Sequence, residues 1–105
     1  MVQDIKILVA DDDPEILFAT ARVLRKGGFK VFEASTGTEC INKARECKPD
    51  LIFLDVMLPD VRGTELCRQI KSDPRYKGTF VILISGEKIA SDDQADGLDY
   101  GADGY

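Results

Sequence analysis

A chain of 105 residues is long enough for one hydrophobic core and too short for two, and 44% hydrophobic with 31% charged residues describes a packed globular domain, not a disordered segment. A formal net charge of -5 argues against a chain that grips a phosphate backbone with its own clustered cations, so no direct nucleic-acid partner is expected. No histidine is present, which rules out serine and cysteine triads and leaves chemistry to carboxylates, hydroxyls, lysines or a bound metal.

The first apolar run, IKILVA at residues 5–10, has strand length and β-branched content. A helix is expected next: Asp13 can cap it, Pro14 suits its first turn, Gly27-Gly28 ends it, and Ile16, Ala19, Val23 and Leu24 line its inner face. FKVFEA at residues 29–34 reads as a second strand. Ser35 or Thr36 can cap a second helix whose inner stripe is Cys40, Ile41, Ala44 and Cys47, with Pro49 as its stop. LIFL at residues 51–54 is a third strand, followed by a helix from about residue 63 to residue 72 on Leu66, Cys67 and Ile70, before Asp73-Pro74 breaks it. FVILIS at residues 80–85 is a fourth strand. After it, residues 88–101 form a weaker helical pattern interrupted by Gly97, and the chain ends at GADGY, where a fifth strand would begin.

Strands alternating with helices call for a mainly parallel sheet covered on both faces, an α/β doubly wound plan. With right-handed crossovers the winding reverses once, leaving a crevice at the carboxyl ends of the two strands that flank the reversal. The three cysteines, Cys40, Cys47 and Cys67, lack CxxC or zinc spacing and read as free core thiols of a reducing compartment. The start MVQDIKILVA lacks the features of a signal peptide, and no apolar stretch approaches the roughly 20 residues that span a bilayer. A cytoplasmic location without a membrane partner is the expectation.

The first strand runs into Asp11, Asp12 and Asp13, and the third into Asp55. If these strands are neighbours at the reversal, Asp11, Asp12 and Asp55 converge, and their repulsion calls for a cation. Oxygen donors without Cys or His suit a hard ion such as magnesium. The fourth strand places the Ser85 hydroxyl at the same edge, where it could donate to a phosphoryl oxygen. Acids, a hydroxyl and a magnesium-type site suggest phosphoryl chemistry with a carboxylate nucleophile, for which Asp55 is the best candidate. Asp13 is explained as a helix cap.

LVADDDP, LIFLDVMLPDVRG, FVILISG and GADGY resemble, in order and spacing, the receiver domain of two-component response regulators, over essentially the whole chain. The resemblance implies a flavodoxin-like parallel sheet of strand order 2-1-3-4-5, of which the fifth strand and last helix are largely missing from this chain. It also implies Asp55 as phosphoacceptor and Mg2+ as cofactor, with Asp12 a direct ligand, Asp11 acting through water, and Asp55 and the Met57 backbone carbonyl completing the metal set. Ser85 stands at the phosphoryl-contacting hydroxyl position, Tyr105 at the switch aromatic, and Pro59 and Gly63 at positions that shape the loop after the acceptor. The implied partners are a sensor histidine kinase or phosphotransfer protein, together with an output domain or a homodimer. The family's Lys-Pro, three residues past the aromatic, has no counterpart, and Lys88 does not occupy that place. Residues 1–105 are therefore expected to be a C-terminally incomplete receiver. The expected role is a signalling module, not a metabolic enzyme, catalysing only its own phosphorylation and dephosphorylation. Two alternatives remain: a receiver-like interaction module that is never phosphorylated, and a haloacid-dehalogenase-type phosphatase using Asp11 and Asp13 as its DxD pair.

Overall fold

The computed structural model describes residues 4–84 and 103–104. Their elements follow the expected alternation: β1 (Lys6–Ala10), α1 (Pro14–Lys26), β2 (Lys30–Ala34), α2 (Gly37–Cys47), β3 (Leu51–Asp55), α3 (Gly63–Ser72), a 3-10 turn (Pro74–Tyr76) and β4 (Phe80–Ile84). The strands form one parallel sheet in the order β2-β1-β3-β4, so the winding reverses between β1 and β3. No fifth strand is present among the described residues, although Gly104 makes an isolated parallel bridge to Ile82 on the outer side of β4. The fourth helical pattern, Ser85 and Tyr105 lie outside the described residues.

Period-two alternation in the strands divides the core between the two faces of the sheet. Leu8, Ala10, Ile52, Leu54, Val81 and Leu83 point one way, onto Cys40 and Ala44 of α2 and Leu66, Cys67 and Ile70 of α3. Ile7, Val9 and Val31 point the other way, onto Leu17 and Ala21 of α1. Tyr76, which the apolar patterning did not mark, is also buried in the larger cluster.

The inner face of α1 differs from the expected one. Ile16 and Val23 are 43% and 69% exposed and Ala19 is exposed, whereas Leu17 and Ala21 are buried and Leu24 is half-buried. The segment is apolar at 16, 17, 18, 19, 21, 23 and 24, so two stripes fit a helical period equally well. Packing on the sheet selects Leu17 and Ala21 together with the expected Leu24. The caps agree with expectation. The Asp13 carboxylate accepts from Glu15 N at 2.9 Å and Ile16 N at 3.4 Å, and Gly28, at φ 95°, takes the left-handed conformation that turns the chain into β2. For α2 the cap is Thr36, which accepts from Glu39 N at 3.0 Å, while Ser35 donates its N–H and hydroxyl back to the Glu39 carboxylate.

The amino-terminal edge of the sheet is stitched by side chains. Lys6 N donates to Asp50 Oδ2 and Lys6 Nζ to the Cys47 carbonyl, both at 2.8 Å, and the Thr79 hydroxyl donates to the Pro49 carbonyl at 2.8 Å. The opposite edge carries the acids.

Candidate functional site

β1 and β3 pair with Ala10 beside Leu54, so the residues that follow, Asp11 and Asp55, emerge side by side at the carboxyl edge. Asp12 comes next in the chain, and oxygens of Asp11, Asp12 and Asp55 lie within 4.8 Å of one another. Sequence reasoning named these three, and the sheet brings them together at the reversal. Asp11 and Asp55 are 8% and 9% exposed, whereas Asp12 faces solvent. Asp13 stands apart, its carboxylate committed to the first turn of α1. Its N–H donates to Asp11 Oδ1 at 2.9 Å, fixing Asp11 from the chain's own next turn.

The electrostatics are those of crowded, partly dehydrated carboxylates. Burial pushes the Asp55 carboxyl up to about 6, and the Asp11 and Asp12 charges add to the rise. A backbone N–H works the other way: Met57 N donates to Asp55 Oδ1 at 3.0 Å, favouring the ionised form and holding that oxygen toward the following loop. The Met57 side chain is exposed.

The loop at residues 56–62 is closed at its base. Gly63 N donates to the Val56 carbonyl at 2.8 Å, and Met57 and Arg62 form an antiparallel bridge. Val56 N donates to the Ile84 carbonyl at 2.9 Å, which joins this loop to the end of β4. Gly63 permits the tight return, since a Cβ there would collide with the Asp55 carbonyl and lie 2.8 Å from the Val56 Cα. The expected shaping role of Gly63 thus has a steric basis.

Asp60 was not singled out by sequence reasoning. At the loop tip, its carboxylate accepts from Gly37 N at 2.7 Å and from Thr38 N and Thr38 Oγ1 at 3.0 Å each. These bonds hold its carboxyl below the ordinary range. The contact joins residues more than twenty positions apart, and the only sequence signal for it is an acid in the loop after a strand-end acid.

The cysteines have no place in the site. All three are buried and outside any disulfide, and burial pushes the Cys40 thiol up to about 12 and the Cys67 thiol to about 11, leaving them un-ionised. Among the described residues no helix is long and apolar enough to cross a membrane.

Comparisons with known proteins place this geometry. The family described as "Response regulator receiver domain" matches residues 7–105. The alkaline phosphatase synthesis transcriptional regulatory protein PhoP of Bacillus subtilis is 43% identical over 95% of this chain and 40% of its own length. The DNA-binding response regulator MtrA of Mycobacterium tuberculosis is 36% identical over 95% of this chain and 42% of its own length. The chain thus spans well under half the length of these relatives. The chemotaxis response regulator CheY4 of Vibrio cholerae superposes with a TM-score of 0.88 at 28% identity, over 95% of this chain and 82% of that one. The BeF3-activated receiver domain of RstA from Klebsiella pneumoniae superposes with a TM-score of 0.87 at 29% identity, over 95% of this chain and 82% of that one.

Proposed function

The chain belongs to the response regulator receiver domains of two-component signalling, and on that premise we propose that Asp55 accepts a phosphoryl group from a partner histidine kinase or phosphotransfer protein in a magnesium-dependent reaction. The observation that carries this reading is the convergence of the Asp11, Asp12 and Asp55 carboxylates at the paired ends of β1 and β3.

The donor set fits a hard dication: three carboxylates, two of them nearly buried, with no nitrogen or sulfur ligand in the group. Asp12, Asp11, Asp55 and the Met57 carbonyl would hold it. When bound, Mg2+ supplies positive charge that offsets both the acid cluster and the incoming phosphoryl oxygens.

The chain's own groups do the rest. At neutral pH a carboxyl of pKa about 6 is mostly ionised, so Asp55 is available as a nucleophile. Its oxygen attacks phosphorus, a P–O bond forms as the P–N bond to the donor imidazole breaks, and the imidazole leaves with a proton. The product is an acyl phosphate on Asp55. Met57 N–H, already donating to Asp55 Oδ1, orients the carboxylate so that its other oxygen faces the donor. Ser85 as the hydroxyl that meets the phosphoryl group and Tyr105 as the switch aromatic rest on the family resemblance.

The acyl phosphate shifts the domain between two arrangements by its differential interaction with each, and the shift is read by an output domain or a second copy. The curated relatives are transcriptional and DNA-binding regulators, which supports a DNA-binding output in the whole protein and a cytoplasmic location. The RstA neighbour is BeF3-activated, and beryllofluoride imitates a phosphoryl group in shape and charge, which supports the same chemistry here. Asp13, which a DxD phosphatase needs as its second acid, is occupied in capping α1. Incubation of the full-length protein with a small phosphodonor and magnesium, followed by intact mass measurement, tests the proposal. One added phosphoryl group is expected, absent from Asp55→Asn; full labelling of that variant would overturn it.

A further inference from the structure

The amino-terminal N–H groups of α2 have no partners within their own helix. Cys40 N makes the first regular helical bond, to the Thr36 carbonyl at 3.0 Å, and of the three N–H groups before it Glu39 N donates to Thr36 Oγ1 at 3.0 Å. The other two, Gly37 N and Thr38 N, donate to Asp60, which arrives from the loop that begins at the phosphoacceptor. The Thr38 hydroxyl adds a third bond to the same carboxylate. One acid therefore completes a helix terminus and anchors a loop tip, with the helix dipole favouring its negative charge.

The approach is close. A Cβ on Gly37 would collide with Val61 Cγ1 and lie 3.1 Å from Asp60 Oδ1, so a side chain at residue 37 would force the Val61 side chain to move and crowd the Asp60 carboxylate. The loop is thus tied at both ends: at its base by Gly63 N to the Val56 carbonyl, and at its tip by Asp60. Met57 lies between, with its N–H on Asp55 and its carbonyl among the proposed metal ligands.

The geometry points to Asp60 as a positioning residue for the phosphoryl-transfer site: by latching the loop tip onto α2, it fixes where Met57 presents its N–H and carbonyl. Asp60 does not touch the reacting atoms. It acts through the four residues between Asp55 and the latch, in the way that outer groups around metal ligands hold those ligands in place. This inference rests on Asp55 being the phosphoacceptor, and the test separates the two.

In the full-length protein, Asp60→Ala, Asp60→Asn and Thr36→Ala are compared with the parent for thermal midpoint, magnesium affinity and phosphorylation rate with a small phosphodonor. Thr36→Ala removes a cap from the same helix end without touching the loop, so it reports what loss of α2 stability alone does. Asp60→Ala is expected to weaken magnesium binding about tenfold and to slow phosphorylation at sub-saturating magnesium by a similar factor. Asp60→Asn keeps an acceptor oxygen and should recover part of both, while Thr36→Ala should lower the thermal midpoint and leave both unchanged. Equal magnesium affinity and rate in Asp60→Ala and the parent overturn the latch, as do equal losses in Thr36→Ala. A parent protein that takes no phosphoryl group, or that takes it without Asp55, overturns the phosphoacceptor reading instead.

Discussion

Gly63 sits against the backbone of Asp55 so closely that any Cβ at residue 63 would overlap the Asp55 carbonyl. The first residue of α3 is therefore packed against the last residue of β3, and the seven residues between them are forced into a closed loop. Substituting Gly63→Ala should displace backbone, not merely a side chain. The expected cost is about 1–3 kcal/mol, typical of overpacking, read as a lower denaturant midpoint at unchanged slope. An unchanged midpoint would mean that the loop relaxes freely and that its closure does not hold Asp55.

The raised pKa of Asp55 has a stability consequence whose sign follows from linkage. Folding lifts this carboxyl from an ordinary 3.8 to about 6, mainly through burial and then through its acidic neighbours, so the folded state binds the proton more tightly than the unfolded one. The stabilisation from that proton is complete below about pH 4 and disappears as pH rises through about 6. In the absence of magnesium, Asp55→Asn should therefore match the parent near pH 4 and exceed it above pH 7, by about 2 kcal/mol once the ~3 kcal/mol equivalent of the full shift is discounted for solvent screening. Asparagine suits the comparison because its carbonyl oxygen can still accept from Met57 N–H. Unfolding curves in urea with a chelator, across that pH range, provide the measurement.

Asp12 and Asp13 are adjacent and should behave oppositely toward magnesium. Millimolar magnesium is expected to raise the unfolding free energy at pH 8 through preferential binding to the folded state. Asp12→Asn should abolish that response with little change in metal-free stability. Asp13→Ala should lose about 1 kcal/mol of capping and keep the full magnesium response. Thermal denaturation with and without the ion distinguishes the two, and a retained response in Asp12→Asn would remove Asp12 from the ligand set.

Along α1, Leu17→Ala should cost about 2–4 kcal/mol, as expected for truncating a core leucine, because Leu17 packs on Ile7, Val9 and Val31. Ile16→Ala and Val23→Ala remove exposed side chains and should stay within about 0.5 kcal/mol of the parent. Chemical denaturation of the three variants gives the comparison directly.

That contrast also shows where sequence reasoning reached and where it stopped. Strands β1 to β4 were legible because each is a short apolar run, and the acids were legible because they directly follow two of those runs. Thr36 and Ser35 could each have capped α2, and only the bond from Glu39 N distinguishes them. On the α1 face Leu24 was read correctly, and Ile16, Ala19 and Val23 were misread because they repeat as well as Leu17 and Ala21; contact with the sheet chooses between them, and spacing does not. Asp60 was invisible for a different reason. Its partners Gly37 and Thr38 are brought to it by tertiary packing, and nothing local to either segment announces the bond.

The two ends of the sheet are built to opposite mechanical purposes. One edge is laced by Lys6, Asp50 and Thr79, and the other gathers like charges at the tips of neighbouring strands. Without a counter-ion, the domain should breathe from its acidic rim inward: amide hydrogens near Asp11 and Val56 exchange sooner than those near Lys6 and Phe80. Filling the rim with positive charge then removes the repulsion between neighbouring strand tips, so one bound ion stiffens a whole edge.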